Sequence, residues 1–483
     1  MHRKRWARLP IAAVCGLAAV AAAAPAAQAQ YPDPDYPATH DQPCESAASL
    51  VRGIGASFQR TIQLGWGAEI IDPDPAPALA KGFGYEVCPA FKLAADGGTK
   101  KVTYSPAGSG AGRTAFGATN TAGSPRNLNV DFGGADEAPT PTQVANANEG
   151  PNLGSTADDG ILHTLPIGQG AVAVNFRVPD GCQIPASGPR SLSRVKAEGF
   201  FRGLTAYDQW GELVGYSNID ASPGSGLTDA QCGGKKPARV VRFDNSGTTF
   251  LLKRYLDAAA GGAFDWSEAS EGGTLANNAW PSATINAGEN GNGPLLDLLN
   301  NQGANGGIGY ADLGASRGRN FGWAYSGGTF TPDDRSFWVY MQQIATSSYV
   351  SPAKTNDQVG TKGARCLGVQ YSNVPASTTA SWFSVTGVPT PTDYPICGLT
   401  YALAWASPSA VGINSLSRAV GRRDYIGYML DRPGLGTTPP GSQCDSTDSR
   451  YGKGQCKLPV NDYARLPASI FTIARAGMTQ LDD

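Results

Sequence analysis

The sequence predicts an α/β protein, and three observations carry that reading: short β-prone runs lead into polar Gly/Ser turns, the turns lead into helix-like runs, and no fixed-period repeat replaces this alternation. Residues 101–104 are the first clear strand candidate, followed by a Gly/Ser turn and a helix-like run from Arg113. Residues 130–132 come next and run into Gly133-Gly134-Ala135-Asp136, read as a turn. A third apolar run covers 171–176. Residues 239–243 then give way to Asn245-Ser246-Gly247-Thr248 and an amphipathic stretch over 250–259. The Gly/Asn-rich stretches 288–293 and 300–309 read as loops. Near the end, 394–405 is apolar enough for a buried strand, and 424–430 with 463–478 reads as closing helices.

At 483 residues with 41% apolar and 9% aromatic content, the chain has ample material for packed cores, which excludes a disordered protein. Residues 1–29 combine basic Arg3, Lys4, Arg5 and Arg8, an apolar stretch from 11 to 24, and Ala27-Gln28-Ala29, the pattern of a cleavable secretory signal. Cys15 lies inside it and matches a lipid-attachment site imperfectly, so release is expected rather than anchoring. Residues 30–43, rich in Pro and Asp, read as an extended leader. Removing the signal takes four of 38 basic residues and none of 40 acidic ones, leaving 34 against 40, a net charge of −6. That balance argues against nucleic acid or an anionic membrane surface as the main partner. No other stretch reaches the ~18 apolar residues a membrane-spanning helix needs.

Nine cysteines less Cys15 leave eight, an even number in a chain bound for an oxidising compartment, which favours disulfides. Eight cysteines allow about 105 pairings. The expectation is pairing of neighbours: Cys44 with Cys88, Cys182 with Cys232, Cys366 with Cys397, Cys444 with Cys456. No C-x-x-C spacing or His/Cys/Asp cluster suggests a metal, and neither cofactor nor metal is expected.

Three short segments each stand before a helix-like run: Gly55-Ala56-Ser57-Phe58, Gly108-Ser109-Gly110-Ala111-Gly112, and Ser246-Gly247-Thr248-Thr249. A helix start offers unpaired N–H groups and, with Ser or Thr, a hydroxyl, which together suit an anion. Ser, Thr and Gly are also ordinary capping residues, so any one segment alone reads as a cap. Three in one chain point to an oxyanion site.

The segments Ala107-Gly108-Ser109-Gly110-Ala111-Gly112-Arg113, Val130-Asp131-Phe132-Gly133-Gly134-Ala135-Asp136 and Arg242-Phe243-Asp244-Asn245-Ser246-Gly247-Thr248-Thr249-Phe250 follow in order, and with them the chain resembles the PstS-type phosphate-binding proteins of ABC transporters. Gly168-Gln169-Gly170, Trp280-Pro281, Gly309-Tyr310, Tyr394-Pro395 and Tyr463-Ala464-Arg465-Leu466-Pro467 extend the similarity along nearly the whole chain after the signal. The resemblance implies the two-lobed α/β architecture of type II periplasmic binding proteins, with two crossover strands and a central cleft. Residues 44–167 with 345–483 would form one lobe and 168–344 the other. It further implies that phosphate is contacted by Ser57, Ser109, Asp136, Arg242, Ser246, Gly247 and Thr248. Arg242 can offer a guanidinium fork to phosphate oxygens, with Asp244 two residues on either to orient it or to cap the following helix, the two roles competing evenly. Asp136 is the informative member: a carboxylate beside an anion is repulsive unless the anion brings a proton, which phosphate does and sulfate does not. The expected partners are inorganic phosphate and an ABC permease, with the chain a monomer.

A hydrolase is the main rival, since Ser109 and Ser246 lie in small-residue turns. Ala107 occupies the first Gly position of a nucleophile elbow, however, and after signal removal only His40 and His163 remain, His163 reading as a surface or packed residue. Binding without catalysis is therefore expected. A further alternative keeps the binding fold in a secreted adhesion or scaffold protein without transport, in line with insertions around 72–80 and 316–334 and the 444–456 loop.

Overall fold

The computed structural model describes residues 50–69, 99–118, 126–149, 160–185, 190–267, 277–281, 287–326, 334–354, 362–412, 416–430 and 454–481, with short strand pieces at 80–92 and 329–332. All belong to one compact unit, Pro32–Asp483. The signal, the leader, Cys44, Cys444, the side chain of Cys88 and most of the 72–80 insertion lie outside the described residues.

The first half alternates β1 (Leu50–Gly55), α1 (Arg60–Glu69), β2 (Thr99–Ser105), α2 (Ser109–Ala115), β3 (Phe132–Ala135) and α3 (Pro141–Glu149) before the long strand β4 (Leu162–Arg177). The second half carries α4 (Arg194–Arg202), β5 (Ala238–Arg242), α5 (Gly247–Ala260), β6 (Ala287–Glu289), α6 (Asn292–Asn300), β7 (Gly307–Asp312), α7 (Leu313–Arg317) and β8 (Ser336–Trp338). The chain then returns through β9 (Cys397–Trp405), α8 (Leu416–Met429), β10 (Tyr463–Ala464) and α9 (Ala468–Met478). The predicted α/β class is what the structure shows, and the two lobes share one curled sheet with order β6-β5-β7-β4-β9-β3-β1-β2.

β4 is the element that joins them. Its residues 162–171 pair antiparallel with β9, whereas residues 172–177 pair with β7 and 175–177 with β8. It is buried along almost its whole length, with His163, Thr164, Gln169 and Asn175 buried among its apolar residues. Gly170 packs against the ring of Phe58 and Tyr463, so a bulkier residue there would displace them. On either side of this central antiparallel region the sheet is parallel, with β1 beside β2 and β3, and β5 beside β6 and β7. Loops that leave the carboxyl ends of parallel strands face the same way, which is where open α/β sheets bind ligands.

Several boundaries differ from expectation. β3 continues through Gly133 and Gly134, which read as a turn; a Cβ on Gly134 would lie 2.1 Å from the Tyr104 hydroxyl, so the glycines serve close packing inside a strand. Helix α2 starts at Ser109 rather than Arg113. The loop 288–293 holds the end of β6 and the start of α6, and the loop 300–309 holds the start of β7. Tyr463–Ala464 is a strand, not the start of a closing helix, because Pro467 sets the N-cap of α9. The 316–334 insertion contains a hairpin pairing Trp323–Ser326 with Thr329–Pro332.

Disulfides link Cys182 to Cys232 and Cys366 to Cys397, two of the expected pairs, and Cys456 is disulfide-bonded with its partner outside the described residues. No helix of the described residues is long and apolar enough to cross a membrane.

Candidate functional site

Every candidate residue named from the sequence stands at or just beyond the carboxyl end of a parallel strand. Ser57 follows β1, Ser109 follows β2, Asp136 follows β3, and Arg242 ends β5, with Ser246, Gly247 and Thr248 at the start of α5. All of these side chains are buried. The chain thus brings together residues up to 191 positions apart in sequence, from Ser57 to Thr248, at one end of the sheet.

Ser109 is the meeting point of the residues after β3 and the start of α5. Its Oγ accepts the N–H of Asp136 at 3.0 Å and the N–H of Gly247 at 3.1 Å, and it donates to Asp136 Oδ2 at 3.3 Å. Asn245, on the loop before α5, accepts from Gly110 N at 2.9 Å through its carbonyl and from Arg113 Nη2 at 2.9 Å through its side chain. Glu137, buried beside Asp136, pairs with Arg113 Nη1 at 2.8 Å and accepts from Asn277 Nδ2 at 2.7 Å. These bonds hold the two sides of the cleft together.

Arg242 is fully buried and fixed on three sides. Nε donates to Asp244 Oδ1 at 2.5 Å and Nη2 donates to Oδ2, a fork-to-fork pair that sets the guanidinium plane. Nη1 donates to Ser57 Oγ at 3.0 Å and to Asn292 Oδ1. Asp244 therefore orients Arg242 as the sequence suggested, and it occupies one edge of the guanidinium, leaving the Nη1 side to face the cleft residues. Ser246 takes the capping role: its Oγ accepts from Thr249 N at 3.4 Å. Thr248 Oγ1 accepts from Asn292 Nδ2 at 3.4 Å.

Four residues that the sequence reading passed over complete the cluster. Asn292 opens α6, donates its N–H to Ser57 Oγ at 3.3 Å and reaches Asp312 Oδ1 with Nδ2 at 2.6 Å. Asp312 caps α7 by accepting from Ala315 N at 2.8 Å. Thr400 donates to Asp136 Oδ1 at 2.7 Å, and Gln59 Nε2 donates to Thr400 at 2.7 Å. Signals existed for two of them: Pro294 marks a helix first turn just after Asn292, and Thr400 is a hydroxyl inside an otherwise apolar strand.

Burial pushes the Asp136 carboxyl up to about 7, with nearby Asp312 adding to the rise and the Thr400 and Ser109 hydroxyls and Arg242 opposing it. Burial likewise pushes Asp312 up to about 6, against the N–H of Ala315 and the amide of Asn292. With burial as the largest cause, Asp136 can both accept and carry a proton near neutral pH. His163 is buried and bonded through Nδ1 to Thr378 at 2.7 Å, a packed residue as expected. Among the described residues no group of three or more His, Cys, Asp or Glu side chains could hold a metal ion.

No family model matches the chain, and no curated protein does. Solved structures match over most of its length. One is a high affinity periplasmic phosphate-binding protein, PfluDING, bound with phosphate: 18% identity, 88% of this chain and 93% of that one covered, TM-score 0.50. Another is a phosphate binding protein from Stenotrophomonas maltophilia, at 19% identity, 89% and 94% coverage and a TM-score of 0.51. A third is a DING protein at 19% identity, 88% and 93% coverage and a TM-score of 0.50. The fold is that of the two-lobed phosphate-binding proteins. This is the architecture that the PstS-type resemblance implied.

Proposed function

We propose that the protein is an exported phosphate-binding protein that captures inorganic phosphate between its lobes and performs no chemistry on it. The observation that carries the reading is the convergence of Ser57, Ser109, Asp136, Arg242 and the Ser246-Gly247-Thr248 helix start on one buried cluster. Hydroxyls, helix-start N–H groups and a guanidinium supply donors for a tetrahedral oxyanion, and Asp136 supplies the acceptor for its proton. The names of the structural neighbours point to the same ligand. In this reading the lobes are residues 44–167 with 345–483, and residues 168–344, so that phosphate bridges them and favours the closed arrangement through its differential affinity. The signal segment and the disulfides fit export, and delivery to an ABC permease by a monomeric carrier is the role proposed for the bound ion.

Charge-assisted hydrogen bonds contribute about 1.5–3 kcal/mol each and a micromolar site needs about 8 kcal/mol, so this donor set is sufficient. Titration calorimetry at neutral pH is expected to show one phosphate bound at micromolar concentration or below, with no heat from sulfate. Absence of phosphate binding, or equal binding of sulfate, would overturn the proposal.

A further inference from the structure

Beside the anion cluster lies a second concavity that phosphate does not explain. It is a cavity of about 280 Å³ between α5, the connection at 343–345 and the segment 382–401. Phe250, Tyr255, Tyr371, Trp382 and Phe383 form its walls. Phe250 and Phe383 lie with ring centroids 5.6 Å apart, and Trp382 meets Tyr401 edge-on at 6.1 Å. Phe250, Leu251, Arg254, Tyr255 and Ala258 occur at helical spacing, so one face of α5, whose first turn holds Gly247 and Thr248, continues outward as a cavity wall. Asp136 reaches the lining from the other lobe.

The polar groups in this wall are unequal. Arg254 sits over Phe250 with its guanidinium carbon 4.1 Å from the ring centroid, and its amino groups donate to the carbonyls of Val385 at 2.8 Å and Phe383 at 2.9 Å. Those donors are engaged in building the wall, so an anionic ligand gains little from them. Tyr401 differs. It is 4% exposed, it lines the cavity, and among the described residues nothing is hydrogen-bonded to its hydroxyl. An unpartnered hydroxyl at the cavity wall offers a ligand that supplies a donor or acceptor a direct hydrogen bond in place of one to water. Aromatic walls favour a ring, stacked or edge-on, and a cavity of ~150 Å³ is known to accommodate benzene, so there is space here for one ring and its substituents.

We infer that this cavity is a binding site for a small neutral single-ring aromatic molecule bearing a hydroxyl, the phenol class, with its ring among Phe250, Trp382 and Phe383 and its hydroxyl paired with Tyr401. The walls come from both sides of the cleft, so an occupant also favours the arrangement that brings them together. This inference stands on the cavity and is independent of whether the neighbouring cluster holds phosphate.

The test is titration calorimetry of the full disulfide-bonded protein with p-cresol and with toluene. The wild-type protein is expected to bind p-cresol one-to-one at sub-millimolar concentration. Tyr401→Phe is expected to weaken p-cresol about 2- to 10-fold and leave toluene unchanged, the worth of one neutral hydrogen bond. Ala258→Trp, at the mouth of the cavity, is expected to abolish both. No p-cresol binding by the wild type up to several millimolar, or equal p-cresol binding by wild type and Tyr401→Phe, would overturn the assignment. The Tyr401→Phe comparison decides the matter even if Ala258→Trp does not fold.

Discussion

Arg242 Nη1 donates to Ser57 Oγ at 3.0 Å, joining the end of β5 to the loop after β1. The two residues are 185 positions apart in sequence, and neither has this partner unless both parallel half-sheets point their carboxyl ends at the same place. One buried guanidinium thus reports the assembly of the whole site.

Arg242→Ala removes that charge and leaves Asp244, which receives two of its donors, without its partner. Phosphate affinity is expected to fall by at least tenfold in titration calorimetry, because a charge-assisted donor to an oxyanion is lost. The unfolding midpoint is expected to fall as well, since Asp244 keeps a partly buried charge. Unchanged phosphate affinity would place the site elsewhere.

Gly247→Ala tests how closely the start of α5 approaches Ser109, Asp136 and Glu137. A Cβ at this position would lie 2.6 Å from Asp136 Cβ, 2.6 Å from Ser109 Oγ and 2.7 Å from Glu137 N, none of which belongs to the same helix. The added methyl is expected to hold the two sides apart, weakening phosphate at least tenfold and enlarging the molecule in small-angle scattering with phosphate present. Scattering profiles identical to the wild type would show that the contact yields locally.

The disulfide between Cys182 and Cys232 closes a span of 50 residues. Replacing both with Ser is expected to cost about 4 kcal/mol on the chain-entropy account, read as a lower midpoint in denaturant. The anion cluster draws on neither cysteine, so phosphate affinity measured well below that midpoint is expected to stay within twofold of the wild type.

Much of this site was legible in the sequence because its parts are local. A hydroxyl before a helix, an Arg followed two residues later by an Asp, and an Asp at a strand end can be recognised one segment at a time, and resemblance supplied their common purpose. What escaped was non-local. Thr400 earns its role only because β9 lies beside β3, a pairing between residues some 265 positions apart. Asn292 and Asp312 lay in or beside Gly/Asn-rich stretches read as loops, where the two-residue link from β6 to α6 and a Pro-containing first helical turn were hidden by glycine content. Gly133 and Gly134 misled for the same reason: glycine marks a turn in one context and tight strand packing in another, and only the Tyr104 hydroxyl distinguishes them.

Asp136 ties stability, specificity and pH together. Its folded-state value of about 7 lies above the 3.8 of an ordinary carboxyl, so between these limits the folded protein binds the proton more tightly than the unfolded chain does. Stability from this group is then fully present below pH ~4 and is lost as pH rises through about 7. Asp312, pushed up to about 6, adds a loss of the same sign over a slightly lower range. Without phosphate, the thermal midpoint is therefore expected to decline from pH 4 to 8, and Asp136→Asn, which cannot ionise, is expected to flatten part of that decline. The same variant is expected to bind phosphate more weakly and to narrow the preference over sulfate, because the amide no longer offers an ionised acceptor for the phosphate proton or repels an anion that has none. A variant that keeps both the wild-type pH slope and full rejection of sulfate would remove Asp136 from each role.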